Sequence, residues 1–103
     1  MDKLEYAKRL EELAKPFVEL GIYDSPEKFL KDVIKNIATE RIKTYERIIN
    51  KYKKKYGSFE GFTKRLEGKA EPKFEDEWMD WESARNMLEA WKKASKELGI
   101  SAS

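Results

Sequence analysis

A chain of 103 residues is expected to form one domain with a thin core, because a domain of this size buries only ~60–65% of the surface its unfolded chain exposes. Its 40% hydrophobic residues, aromatics included, argue against disorder throughout, and a net charge of +2 falls short of the basic excess usual in a committed nucleic-acid binder. With neither Cys nor His, the chain has no disulfide, thiolate nucleophile, imidazole base or sulfur-ligated metal, and no cofactor is expected.

Leu4, Ala7, Leu10, Leu13, Ala14, Phe17 and Leu20 recur at steps of three and four, which predicts a first helix with one apolar stripe. Pro16 interrupts its hydrogen-bond ladder and predicts a kink, and Gly21 is placed to end it as a left-handed cap. Asp24-Ser25-Pro26-Glu27 reads as a helix start: Asp24 or Ser25 caps, Pro26 takes the first turn, and Glu27 completes a capping box from Asp24. Nothing breaks the next run until Gly57, so a helix of about 31 residues, roughly 46 Å long, is predicted from Pro26 to Tyr56. A helix of that length must pair with another long helix or with a copy of itself to cover its stripe. Phe29, Leu30, Val33, Ile34 and Ile37 make a wide face suited to a core. Ala38, Ile42, Tyr45, Ile49, Tyr52 and Tyr56 instead alternate steps of four and three, the spacing of a self-association seam.

Ser58 is placed to cap a short third helix carrying Phe59, Phe62 and Leu66, closed by Gly68, and 68–72 reads as a linker. A fourth helix is predicted from Glu75 to Gly99, with Trp81, Ala84, Leu88, Trp91 and Leu98 on one side and Asp76, Glu77 and Asp80 at its positive end. The tail, residues 99–103, is expected to fray. The pattern is all-α: four helices, one of them short, packed antiparallel in a single domain over 1–103. No run approaches the ~18 apolar residues needed to cross a bilayer, and the polar start Met1-Asp2-Lys3-Leu4-Glu5 lacks a signal-peptide core. A cytoplasmic chain is therefore expected. Abundant Lys and Glu without Cys or His also suits a hyperthermophile.

Two charged stretches stand out. From Lys43 to Tyr56 the balance is +5, and Lys51, Lys53, Lys54 and Lys55 are candidates to grip phosphates, unless they only form a solvated helix end that favours the macrodipole. From Glu71 to Glu82 it is −5, interleaved with Phe74, Trp78, Met79 and Trp81, residue types enriched at protein interfaces. That segment either meets a partner or folds back on the basic helix of its own chain. Its carboxylates do not place three ligands on one helical face, so no metal site is expected. Nothing resembles a phosphate loop or a catalytic triad, and the chain is not expected to be an enzyme.

The stretch Glu12-Leu13-Ala14-Lys15-Pro16-Phe17-Val18-Glu19-Leu20-Gly21-Ile22-Tyr23, followed by Ser25-Pro26-Glu27-Lys28-Phe29-Leu30-Lys31-Asp32, resembles the helix, turn and capped second helix of ribbon-helix-helix and related prokaryotic antitoxins. Lys54-Lys55-Tyr56-Gly57-Ser58-Phe59-Glu60-Gly61-Phe62 and Glu77-Trp78-Met79-Asp80-Trp81-Glu82 are similar to segments of small archaeal antitoxin-like proteins. The resemblance implies a homodimer that binds and neutralises a toxin protein, often a ribonuclease. Ribbon-helix-helix proteins read DNA with a strand before the first helix, and Met1 to Glu5 leaves almost no room for one. On this reading the long helix dimerises through its Ala38 to Tyr56 seam, and Phe74, Trp78, Met79 and Trp81 hold the toxin. The alternative is a nucleic-acid-binding transcriptional regulator using Lys51, Lys53, Lys54 and Lys55.

Overall fold

The computed structural model describes residues 2–69 and 71–100, which form four α-helices and, among the described residues, no strand. The first, α1 (Lys3–Glu19), starts at Asp2, whose carboxylate accepts the Glu5 N–H at 2.9 Å. It continues through Pro16 and ends in a Schellman motif. There Gly21, at φ 77°, donates to the Val18 carbonyl, and the Ile22 N–H reaches back to Phe17, both at 3.0 Å. Of the two candidate caps for α2 (Pro26–Tyr56), Ser25 takes the role, its Oγ accepting the Lys28 N–H at 3.2 Å. Asp24 pairs with the Lys28 ammonium at 3.0 Å, and Glu27 with Lys31 at 3.4 Å.

Ser58 caps α3 (Phe59–Leu66) by accepting the Gly61 N–H at 3.0 Å. The last helix, α4 (Pro72–Glu97), begins a turn before the expected Glu75, because proline's missing N–H is no loss in a first helical turn. A second Schellman motif closes it, with the Gly99 N–H on Lys96 at 3.1 Å and the Ile100 N–H on Ser95 at 2.9 Å. Gly99 and Ile100 are thus held rather than frayed, and Ile100 packs on Ala38 and Ile42. The expected fraying of Ser101-Ala102-Ser103 lies outside the described residues.

The chain divides into two compact units, Met1–Ile37 and Ala38–Ser103, with α2 contributing to both. The first is a helical hairpin in which Phe17 stacks on Phe29 with ring centres 4.5 Å apart and Tyr23 meets Phe29 edge-on. Ala14 is the one buried residue among those described in it.

In the second unit, Ile49, Tyr52, Phe62, Trp81 and Ala84 form the core, with Tyr45, Tyr56, Phe59, Phe74, Trp78 and Leu88 packed around it. A smaller cluster joins Ala38 and Ile42 to Leu88 and Trp91. Contacts pair rising positions in α2 with falling ones in α4, Ile42 with Trp91 and Tyr52 with Asp80, so the two helices are antiparallel. The seam expected to join two copies is closed within the chain: Ala38, Ile42, Ile49 and Tyr52 are buried, and Tyr45 and Tyr56 are half-buried against the same core. Trp81, Ala84 and Leu88 of α4 supply the apolar surface that a second α2 would otherwise have offered.

Candidate functional site

Between the acidic start of α4 and the basic end of α2, the chain matches its own charges. Tyr52 donates its hydroxyl to Asp80 at 2.7 Å, Lys55 lies 3.0 Å from Glu77, and the Tyr56 hydroxyl donates to Glu77 as well. Burial, then the bond to Asp80, pushes the Tyr52 phenol well above its ordinary 10.0. The hydrogen bonds from Tyr56 and then Lys55 hold the Glu77 carboxyl below its ordinary 4.5. Glu77 in turn raises Lys55.

This latch decides what remains of the two expected binding sets. Trp81 is fully buried, with Tyr52 at 5.7 Å and Phe59 at 5.2 Å between ring centres. Trp78 stacks on Phe59 and donates its indole N–H to Thr63 at 2.8 Å, and Phe74 lies edge-on to Tyr56 and Phe62. Only Met79 of that set is exposed, because the other three rings fill the core that the short α3 leaves thin. Of the lysines, Lys55 is tied to Glu77 and Lys51 lies 4.6 Å over the Tyr52 ring. Lys54 is exposed without a partner among the described residues, and Lys53 turns into a groove. The four do not form one patch.

Two further surfaces stand out, one on each unit. Along α1 and its C-cap residue, Tyr6, Leu10, Leu13, Phe17 and Leu20 follow at steps of four, three, four and three, and are 58%, 45%, 69%, 39% and 77% exposed. The spacing is that of a heptad stripe; within it Phe17 also stacks on Phe29 of α2, and Ala14, one position past Leu13, is buried. Sequence reading missed it by starting the stripe from Leu4 and Ala7, which merges the two faces; the four-three spacing from Tyr6 was the available signal.

On the second unit a groove of about 830 Å³ runs between α2 and α4. Ile49, Phe59 and Trp81 line it together with Lys53, Arg85, Lys92, Lys93 and Lys96, against Glu60 and Glu89. Arg85 pairs with Glu60 at 3.4 Å, and its guanidinium lies 4.1 Å from the Phe59 ring centre. The four groove lysines have no ion pair among the described residues. The three on α4 escaped sequence reading because they are hidden in a helix of mixed charge, although Leu88, Lys92 and Lys96 are each one helical turn apart. Among the described residues no group of acidic side chains is arranged to hold a metal ion, and no helix is long and apolar enough to cross a membrane.

Comparison of the chain with family models, with curated proteins and with solved structures returns no match.

Proposed function

We propose that this is a non-enzymatic helical interaction protein that self-associates through α1, with a second copy of the chain as the occupant of the Tyr6 to Leu20 seam. The observation that carries the reading is the pairing of heptad spacing with exposure on one helix face. The five side chains present on the order of 600 Å² of apolar surface, close to the ~800 Å² per partner of a standard interface. Ile22, Ile34 and Ile37, exposed at 61%, 39% and 47%, extend the apolar area of the same unit. A seam that pairs with itself across a two-fold axis closes the assembly at a dimer. Two hairpins joined in this way bury a four-helix core that one hairpin lacks.

Such a dimer is the scaffold on which an antitoxin-like protein would present itself to a toxin nuclease. Sedimentation velocity over a dilution series tests the first step. The wild type is expected to pass from a dimer of 12.2 kDa chains to a monomer on dilution, and the double variant Leu13→Glu, Leu20→Glu to stay monomeric with unchanged helical circular dichroism. A wild type that is monomeric at every concentration, or a seam variant that still dimerises, refutes it.

A further inference from the structure

We infer that the groove between α2 and α4 is a binding site for the phosphate backbone of single-stranded nucleic acid. Lys53 reaches it from α2 and Lys92, Lys93 and Lys96 from α4, four cations on one concavity with no ion pair among the described residues. Like charges at the spacing of Lys92 and Lys96 destabilise a helix by a few tenths of a kcal/mol. Elsewhere Lys15 and Glu19, Asp24 and Lys28, and Glu27 and Lys31 pair at that spacing, whereas Lys92 and Lys96 line the groove without an ion pair among the described residues. An unpaired cluster inside a groove, in a chain of net charge +2, points to an anionic ligand that completes it.

The shape favours a strand over the alternatives. A volume of about 830 Å³ is far more than one phosphate fills, and the lysines spread over more than a turn of α4 rather than converging on a point. The site is concave with Phe59 and Trp81 beneath it, whereas a helix that lies on a membrane presents apolar residues beside its cations at a flat boundary. A row of cations along a groove tracks the backbone of a single strand. Trp81 is fully buried and Phe59 is covered by Arg85, so base stacking adds little and recognition rests on phosphates, without sequence preference. The indole N–H of Trp81, the one buried side-chain polar atom lacking a hydrogen-bond partner among the described residues, lies in a residue of this same wall.

The test is fluorescence anisotropy of a labelled oligouridylate and a labelled oligothymidylate against the full chain at several salt concentrations. Each phosphate neutralised on a single strand contributes ~0.7 to the slope of log K on log salt, so four lysines predict a slope of about −3. Lys92→Glu with Lys96→Glu is expected to weaken binding at least ~10-fold and roughly halve the slope. Lys92→Gln with Lys96→Gln guards against misfolding caused by the acidic pair and moves both quantities the same way by less. A control of equal charge change on the other unit, Lys3→Glu with Lys8→Glu, leaves the slope intact. Equal losses from groove and control variants would reduce the effect to net charge and overturn the inference. So would absence of oligonucleotide binding, or groove-dependent binding to phosphatidylserine vesicles alone. The monomeric seam variant keeps the groove, so its retained slope separates this inference from the dimer proposal.

Discussion

The two units meet the same problem, hiding apolar surface on a short chain, in opposite ways. The unit from Ala38 surrounds a fully buried tryptophan with aromatic rings and fastens the shell with Tyr52 to Asp80 and Lys55 to Glu77. The hairpin before it buries, among its described residues, one alanine and leaves Tyr6, Leu10, Leu13 and Leu20 exposed. Apolar residues are not scarce in the hairpin; a third element to cover them is. In the second unit α3 and α4 supply that element, and in the first a second copy of α1 would. Stability in this protein is therefore expected to be internal to one unit and dependent on association in the other.

The largest expected contrast comes from truncating one apolar side chain in each. Trp81→Ala removes the ring on which Tyr52, Phe59 and Phe62 all rest, and should cost about 3–5 kcal/mol, enough to abolish the cooperative urea transition of the second unit. Leu13→Ala takes away a side chain that is 69% exposed, and in dilute protein should move the transition by less than ~0.5 kcal/mol. If Leu13→Ala were as damaging in the monomer as Trp81→Ala, the division into a self-sufficient and a dependent unit would fail.

A smaller contrast separates two tyrosine hydroxyls, each donating to an aspartate. Tyr52→Phe leaves the ring in the core and removes the donor to Asp80, for an expected loss of about 1–2 kcal/mol by denaturant titration. Tyr23→Phe removes the exposed bond to Asp32 and should shift the same curve far less. The Tyr52 change also has a pH signature. Its phenol is raised in the folded state, so its contribution is complete below the ordinary 10.0 and is lost as pH rises through the folded value. Tyr52→Phe should therefore flatten the alkaline limb of the stability profile.

Much of the backbone was legible because its signals are local. Ser25, Ser58, Gly21 and Gly99 mark helix ends through hydrogen bonds that span three to five residues, and the structure uses each of them. The start that differs, Pro72 in place of Glu75, also follows a local rule, proline in a first helical turn. What the sequence leaves open is which apolar stripe meets which. The Ala38 to Tyr56 and Tyr6 to Leu20 stripes carry the same four-three spacing, and only the length of α4 and its tryptophans, brought alongside by the α3 turn, decide that the first is closed within the chain and the second is not. The groove was illegible for a related reason: its lysines come from helices more than thirty positions apart, and a net charge near zero conceals a local excess that exists only after folding.

The smallest expected difference lies in how the two units answer to acid. Glu77 has a side chain only 18% exposed and receives hydrogen bonds from Tyr56 and Lys55, which lower its pKa below the ordinary 4.5. A lowered carboxyl contributes stability above its unfolded pKa and loses it as pH falls through the folded value, so the melting midpoint of the second unit should decline once the pH drops below about 4.5. Glu77→Gln lowers the midpoint at neutral pH and removes that part of the acid slope, leaving a flatter profile. In the hairpin, Glu19 and Glu27 sit in pairs whose side chains are more than half exposed, where water and salt screen the attraction and helix spacing alone holds the partners together. Glu19→Gln and Glu27→Gln should lower the melting midpoint at neutral pH by far less than Glu77→Gln does. Thermal melts of the three variants from neutral pH downward check this, and an effect of Glu19→Gln as large as that of Glu77→Gln would mean that the Tyr56 and Lys55 contacts add nothing beyond a surface ion pair.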